Sequence, residues 1–213
     1  MCYTIEINLT REQIEQRFGS RFKDEQEFIP GRKVSAFGLP SVPAICSGSP
    51  DEIRLLTWGL IPAWAKDEES AKSIRMKTFN ARSETLGEKP SFRNSFRAKR
   101  CMVLVNGFYE WQHIGIEKIP YFIRLKDDIP FALAGLYDNW LNRNTGEVLN
   151  TFTIITTPAN PMMEIIHNTK KRMPAILPPA VEKEWLNPGY DSSELSEFLK
   201  PFDENLMMAE KVA

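Results

Sequence analysis

The sequence has few of the residues on which metal centres and disulfide frameworks are built. Its 213 residues include three cysteines and two histidines. The cysteines, Cys2, Cys46 and Cys101, are an odd number at wide spacing, which fits neither a disulfide framework nor a paired zinc-ligand motif. Two histidines are too few for a histidine-rich metal centre. We therefore expect reduced thiols, no metal and no other cofactor.

The chain also lacks a long hydrophobic run. Its longest apolar stretch, FALAGLY at 131–137, is far shorter than the roughly 20 residues that a membrane helix needs. The first dozen residues carry Glu6 and Arg11 and show no apolar run after a basic start, so neither a secretory signal nor a transit peptide is visible. We expect a soluble, cytoplasmic protein that does not bind membranes.

The chain as a whole has no excess of positive charge, since its net charge is -1. This balance does not indicate a nucleic-acid-binding protein. The segment 72–100 differs, because it holds nine basic residues and two acidic ones. A basic segment in an otherwise acidic protein can bind a polyanion. On charge alone, however, an ordinary solvated surface is the favoured interpretation.

Strand patterns outnumber helix patterns. YTIEINL at 3–9 alternates apolar and polar residues, and TREQ at 10–13 has the Thr-x-x-Gln form of a capping box. Further strand candidates, rich in β-branched and aromatic residues, are 53–58, 101–111, 120–125, 131–137 and 148–157. The helix candidates are 10–18, a stretch following Asn80, 160–167, 179–186 and 192–200.

These candidates do not alternate regularly between strand and helix, so a doubly wound parallel sheet is not expected. We predict an α+β fold, mostly antiparallel β with helices around it. At this length the chain can bury one sizeable core, so we expect a single domain over residues 1–213.

Cys2 directly follows the initiator methionine, and a small second residue permits removal of Met1 by methionine aminopeptidase. The freed α-amine, with an ordinary pKa of about 7.7 to 8.0, is partly unprotonated near neutral pH. It can condense with an aldehyde to an imine, onto which the neighbouring thiol closes to give a thiazolidine. Two alternatives remain: an N-terminal nucleophile that attacks an amide, and a merely buried cysteine at a strand start.

Three polar clusters are flanked by apolar residues: TFNARSET at 78–85, NGFYEW at 106–111 and IIHNTKKRMP at 165–174. Each has an ordinary structural explanation when it is taken alone. Together with the Met-Cys start, and in this order, they resemble the SRAP family, the SOS-response-associated peptidases that process abasic sites in DNA. The resemblance runs from Cys2 to about Pro178.

The resemblance implies mostly antiparallel sheets curved into an open barrel-like core with peripheral helices. It also implies an activity, in which residue 2 attacks the ring-opened sugar of an abasic site in single-stranded DNA and becomes covalently joined to it. Cys2 is then the nucleophile, Asn80 positions the N-terminus and the sugar, and Glu110 and His167 share proton transfer. The same groups could assist β-elimination or reversal of the crosslink.

The resemblance further implies residues that contact DNA. Arg82 matches a phosphate-binding arginine, Trp64 matches an aromatic wedge that stacks on an unpaired base, and Thr156 and Arg172 are further DNA-binding candidates. The basic segment 72–100 would form one wall of a strand-binding groove.

The chain departs from the family at three places, one of which is SAFGLP at 35–40, where the family has an Asn-x-x-Pro stretch. Tyr3 and Thr4 follow Cys2 where many members have Gly-Arg, and the four residues NTKK separate His167 from Arg172, more than in many relatives.

Two other functions compete with crosslinking. One is a cysteine or N-terminal nucleophile peptidase that acts on its own leading residues, and the other is a non-catalytic module that binds single-stranded DNA. We expect a monomer that is nucleoid-associated when bound to DNA, with replication-associated proteins as further partners.

Overall fold

A computed structural model of the protein describes residues 2–23 and 28–212. Within them the chain forms fourteen β-strands and six α-helices, joined by short 3₁₀ turns. The strands are β1 (Thr4–Ile7), β2 (Arg21–Phe22), β3 (Gly31–Ser35), β4 (Ser41–Cys46), β5 (Ser49–Trp58), β6 (Asn80–Arg82), β7 (Arg100–Val105), β8 (Gly107–Ile114), β9 (Glu117–Leu125), β10 (Phe131–Leu141), β11 (Val148–Pro158), β12 (Arg172–Pro174), β13 (Ile176–Leu177) and β14 (Met207–Lys211). The helices are α1 (Arg11–Phe18), α2 (Glu68–Arg75), α3 (Arg93–Ala98), α4 (Pro161–Ile166), α5 (Glu182–Leu186) and α6 (Ser192–Glu197).

The larger sheet curves into a barrel. Its strands run in the order β12-β11-β10-β7-β4-β5-β2, and β11 also pairs in parallel with β5, which closes the ring. Trp58 and Phe152 face each other across this closing pair, with ring centroids 5.7 Å apart. The indole of Trp58 is fully buried and donates to the carbonyl of Phe79. The expected α+β fold with a curved, barrel-like β core is confirmed.

The smaller sheet is antiparallel, in the order β14-β9-β8-β1-β3. The chain passes from one sheet to the other at Asn106, so the single strand candidate 101–111 is wrong and divides into β7 and β8. Two side-chain requirements explain the break. Asn106 accepts from the backbone N–H of Asn8 and donates to Glu6, and a Cβ at Gly107 would lie 2.2 Å from the ring of Phe122.

The strand candidate at 3–9 contains β1, and those at 53–58, 120–125, 131–137 and 148–157 lie within β5, β9, β10 and β11. The helix candidates at 10–18, 160–167, 179–186 and 192–200 contain α1, α4, α5 and α6. Thr10 and Gln13 form the expected capping box. The helix after Asn80 is wrong, because the chain there adds β6 to the barrel by parallel pairing with β11, with Ala81 buried. Among the described residues, no helix combines the length and apolar character needed to cross a membrane.

Arg100, the last residue of the basic segment, is a core residue. Its side chain has no exposed surface, and its guanidinium donates to four backbone carbonyls, those of Phe96, Arg97, Trp185 and Asn187. Desolvation by burial lowers the pKa of Arg100. The expectation that the basic segment lines a surface groove as far as Arg100 is therefore wrong at this residue, which instead joins α3 and α5 to the barrel.

Replacing Arg100 with alanine should destabilise the fold by about 3 kcal/mol or more, because four backbone carbonyls, two of them buried, lose their donor and a cavity remains. Urea unfolding followed by circular dichroism measures the change. Arg97→Ala is the matched control, since Arg97 is exposed on the same segment and its loss should cost no more than about 0.5 kcal/mol. Equal effects of the two substitutions would contradict the structural role of Arg100.

Candidate active site

Cys2 lies two residues before the start of β1, which is paired on both sides, with β3 and with β8. Its side chain has no exposed surface, and its Sγ lies 3.9 Å from the carbonyl oxygen of Thr4, to which it donates. Desolvation by burial raises the pKa of the Cys2 thiol, and the charge of Glu110 adds to the shift. The sulfur is therefore held as a neutral thiol inside the protein.

The side chain of Asn80 is hydrogen-bonded to the backbone of Cys2. Its Nδ2 donates to the Cys2 carbonyl oxygen over 2.9 Å, and β6 holds it in place through parallel pairing with Ile154 of β11. The other end of the same amide, Oδ1, is buried and accepts no hydrogen bond from the part of the chain that the structure describes. A buried acceptor of this kind is costly unless a ligand or a modified terminus satisfies it.

Glu110 and His167 form a buried acid–imidazole pair beside Cys2. Glu110 lies on β8 and is 3% exposed, and its Oε1 is 4.0 Å from Nδ1 of His167, which is 6% exposed. Desolvation by burial raises the pKa of Glu110 to about 7 and lowers the pKa of His167. Near neutral pH the carboxyl can therefore hold or release a proton, as a general acid or base requires.

The backbone around His167 sets its tautomer. His167 caps the C-terminus of α4, and its Nδ1 lies 2.7 Å from the carbonyl oxygen of Arg172. A carbonyl only accepts, so Nδ1 carries the proton and Nε2 bears the lone pair when the ring is neutral. The intervening residues NTKK form a tight turn closed by the Lys171 N–H and the His167 carbonyl, with Lys171 in the left-handed region at φ 50°. The turn therefore accommodates the four residues between His167 and Arg172 and still brings the Arg172 carbonyl to the His167 ring.

The structure brings the four predicted catalytic residues together. Asn80 is hydrogen-bonded to the backbone of Cys2, and the charge of Glu110 raises the pKa of the Cys2 thiol. Glu110 and His167 line one pocket with Tyr3 and Trp111. Such a group can bind a small electrophile near Cys2 and exchange protons with it. The roles assigned to these residues stay predictions, while their proximity is a finding.

Trp64 lies apart from this pocket, in a loop after β5. Trp64 is 49% exposed, and its Nε1 donates to the carbonyl of Pro90. Asp138 anchors the loop by accepting from the Ala63 N–H, while its other oxygen pairs with Lys99 over 2.6 Å. A half-exposed indole held by its polar edge presents a flat face for stacking.

Arg82 and Arg172 differ in accessibility. Arg82 is exposed at the end of β6, two residues from Asn80. Arg172 is 8% exposed, and its guanidinium binds both carboxylate oxygens of Glu84 at 2.7 and 2.9 Å. Thr156 is fully buried, and its Oγ1 accepts from Nε of Arg172 while donating to the Ala81 carbonyl. Thr156 and Arg172 are therefore hydrogen-bonded to each other inside the protein. Their contact with DNA stays a prediction.

Two residues that shape the site, Glu84 and Glu6, are not predicted from the sequence. Glu84 binds the guanidinium of Arg172 with both carboxylate oxygens. Its place in the TFNARSET cluster at 78–85 is the sequence feature that could have indicated a role. Glu6 accepts from the Tyr109 hydroxyl and from Asn106, both at 2.8 Å, and so ties β1 to β8. No local pattern marks Glu6, since its position in an alternating strand is typical of a solvated residue.

Comparisons with known proteins give relatives over most or all of the chain. A family model described as SOS response associated peptidase (SRAP) matches residues 1–213. The chain is 45% identical over 205 residues to the abasic site processing protein YoqW of Bacillus subtilis (strain 168), covering 94% of this chain and 86% of that protein. It is 40% identical over 157 residues to the abasic site processing protein HMCES of Xenopus tropicalis, covering 64% of this chain and 45% of that protein.

A solved structure agrees with these sequence matches. A crystal structure of a protein from Bacteroides thetaiotaomicron matches the fold with a TM-score of 0.93 at 42% identity, and the match covers 100% of this chain and 92% of that chain.

The raised pKa of Glu110 makes stability depend on pH. The folded protein binds this proton more tightly than the unfolded chain, so stability should fall as pH rises from about 4.5 to about 7 and then level off. Glu110→Gln removes the buried charge and should stabilise the protein at pH 8 by roughly 3 kcal/mol, with little effect at pH 5. Urea unfolding at both pH values tests this, with exposed Glu117→Gln as control. A Gln variant that is no more stable at pH 8 would contradict it.

Proposed function

The chain belongs to the SOS response associated peptidase (SRAP) family, and we propose that it processes abasic sites in single-stranded DNA by a covalent crosslink through Cys2. The observation that carries the proposal is the hydrogen bond from Asn80 to the Cys2 carbonyl, with Glu110 and His167 beside it. Relatives that are named abasic site processing proteins and cover most of the chain support the same substrate.

The crosslink begins at the α-amine of Cys2 once Met1 has been removed. The nitrogen lone pair attacks C1′ of the ring-opened sugar, which carries the aldehyde, and a carbinolamine forms. Its hydroxyl leaves as water after protonation, which produces an imine. The Cys2 sulfur then adds to C1′, the thiol proton passes to the nitrogen, and a thiazolidine results. Amine, aldehyde and thiol thus give one ring and one water, with no change of oxidation state.

Glu110 and His167 divide the proton transfers. Protonated Glu110, whose pKa of about 7 leaves much of it neutral under ordinary conditions, donates to the departing hydroxyl. His167, whose pKa is lowered by burial, stays neutral and accepts at Nε2. The raised pKa of the Cys2 thiol keeps the sulfur protonated until the imine has formed, which places the amine first in the sequence.

Asn80 orients the reacting terminus. Its Nδ2 fixes the Cys2 carbonyl, and its buried Oδ1 is the natural acceptor for an N–H of the freed amine or for a sugar hydroxyl. Arg82 would hold a flanking phosphate, with Arg172 and Thr156 behind it, and Trp64 would stack on an unpaired base. We further propose that residues 1–213 act as one monomeric domain in the cytoplasm, on the nucleoid when DNA is bound.

Two related activities use the same groups. Once the imine exists, a base that removes a proton from C2′ would break the strand by β-elimination, which makes lyase activity a side reaction. Cleavage of the bond before Cys2 would make the protein an autopeptidase, which fits the word peptidase in the family description. A buried, neutral thiol is a poor nucleophile for peptide bonds of other proteins, so we do not favour a general peptidase.

The adduct assay separates these functions. Protein with Met1 removed, as checked by intact mass, is mixed with a single-stranded oligonucleotide that carries one abasic site. Wild type should give an adduct that survives denaturation, and Cys2→Ala should give one only when borohydride traps the imine. Cys46→Ala, which removes a buried cysteine outside the site, should behave as wild type. A stable adduct with Cys2→Ala, or none with wild type, would overturn the proposal.

The pH profile of adduct formation tests the role of Glu110. The rate should rise as the amine loses its proton and fall as Glu110 loses its own, which gives a maximum between about pH 7 and 8. Glu110→Gln should lower the rate by about 10²-fold or more and remove the falling limb. A falling limb that persists in this variant would assign the acid to another group.

A further inference from the structure

Three aromatic rings pack together beside Cys2. The ring centroid of Tyr3 lies 5.2 Å from that of Phe37, and the Phe37 centroid lies 5.5 Å from that of Phe79. Phe79 meets Tyr3 edge-on, at 89° and 6.3 Å. Phe79 is buried, whereas Phe37 is 61% exposed. The cluster is therefore anchored by the buried ring of Phe79 and exposes the ring of Phe37 to solvent.

The backbone holds the outer ring in a defined place. Phe37 occupies a 3₁₀ turn, Ala36–Gly38, that follows β3, and the Ala36 N–H donates to the Tyr3 carbonyl over 2.9 Å. Leu39 ends the turn in the left-handed region at φ 51° and donates to the Ala36 carbonyl. A single exposed phenyl is common on protein surfaces. Phe37 packs against two other rings, tilted by 32° on Tyr3 and edge-on to Phe79, and its turn is hydrogen-bonded to the residue after Cys2; packing alone does not explain this placement.

The cluster is continuous with the proposed active site. Tyr3 is the neighbour of Cys2 and lines the pocket with Glu110 and His167, while Phe79 precedes Asn80, which is bonded to Cys2. Exposed Arg82 follows two residues later. Flat apolar faces next to a cationic side chain suit a nucleic-acid strand, whose bases stack and whose phosphates are anionic, better than an apolar protein face.

We propose that Phe37, supported by Tyr3, is a stacking platform for the nucleobase directly beside the abasic nucleotide. The inference rests on the proposed function and adds a binding site to it. Cys2 is followed by Tyr3 and Thr4 here, so no arginine is available at these positions to bind a phosphate. Because stacking releases no counterions, binding through this platform should depend little on salt.

The test uses oligonucleotides with a tetrahydrofuran abasic analogue, which has no aldehyde and so reports binding without chemistry. The first has normal bases on both sides of the analogue, and two others lack the 5′ or the 3′ neighbouring base as well. Fluorescence anisotropy gives the dissociation constants. Phe37→Ala should weaken binding to the first about tenfold and should have no effect on the one that lacks the stacked base.

Matched variants separate stacking from general effects. Phe37→Trp should bind as wild type, whereas Phe37→Leu, which is apolar but not flat, should lose as much as Phe37→Ala. Leu206→Ala removes another exposed apolar side chain, 55% exposed at the opposite edge of the small sheet, and should change nothing. Thermal unfolding checks that each variant is folded.

Two results would overturn the platform: no loss with Phe37→Ala on any oligonucleotide, or the same loss on all three. The outcome is independent of the crosslinking proposal, which is tested by the Cys2 adduct on a natural abasic site. Wild type that forms the adduct while Phe37→Ala behaves as wild type removes only the platform. If the Phe37 variants bind the three oligonucleotides as expected but wild type forms no adduct, only the crosslinking proposal is overturned.

Discussion

The pairing of β1 on both edges is the constraint on which the site depends. Chain termini usually fray, because few contacts offset the entropy of ordering them. Here β1 has β8 on one side and β3 on the other, and Glu6 accepts from Tyr109 and Asn106 on the neighbouring strand. Cys2 can therefore be buried and oriented, and Asn80 completes its positioning from the barrel side.

The burial of Glu110 and His167 beside Cys2 has an electrostatic cost. Burial beside the barrel raises the pKa of Glu110 to about 7 and lowers that of His167, so both groups are held away from their preferred charged forms. A stability-optimised core would replace such a carboxyl with an apolar or amide group. A carboxyl with a pKa near 7 beside Cys2 fits the proton transfer proposed for the site, in line with the general conflict between stability and function at active sites.

Much of the fold and of the site could be predicted from local sequence. Alternation predicted β1, the Thr10 capping box predicted α1, an apolar run with aromatic residues predicted β10, and a β-branched run predicted β11. The failures have a common cause, which is that the residues concerned serve distant partners. Asn80 looks like a helix cap but begins a strand that pairs with β11, and Arg100 looks like part of a basic surface but satisfies carbonyls from α3 and the α5 region.

By itself, the sequence determined which chemical groups are present: a cysteine at position 2, one asparagine, one carboxylate and one late histidine within recognisable motifs. It also determined the strand-rich composition that makes a curved sheet possible. Only the tertiary structure decided which of these groups meet and in what protonation state. The physical reason is that distance, burial and hydrogen-bond partners arise from contacts between β1, β6, β8 and α4, segments far apart in the chain. A local pattern carries no information on the dielectric surroundings that those contacts create.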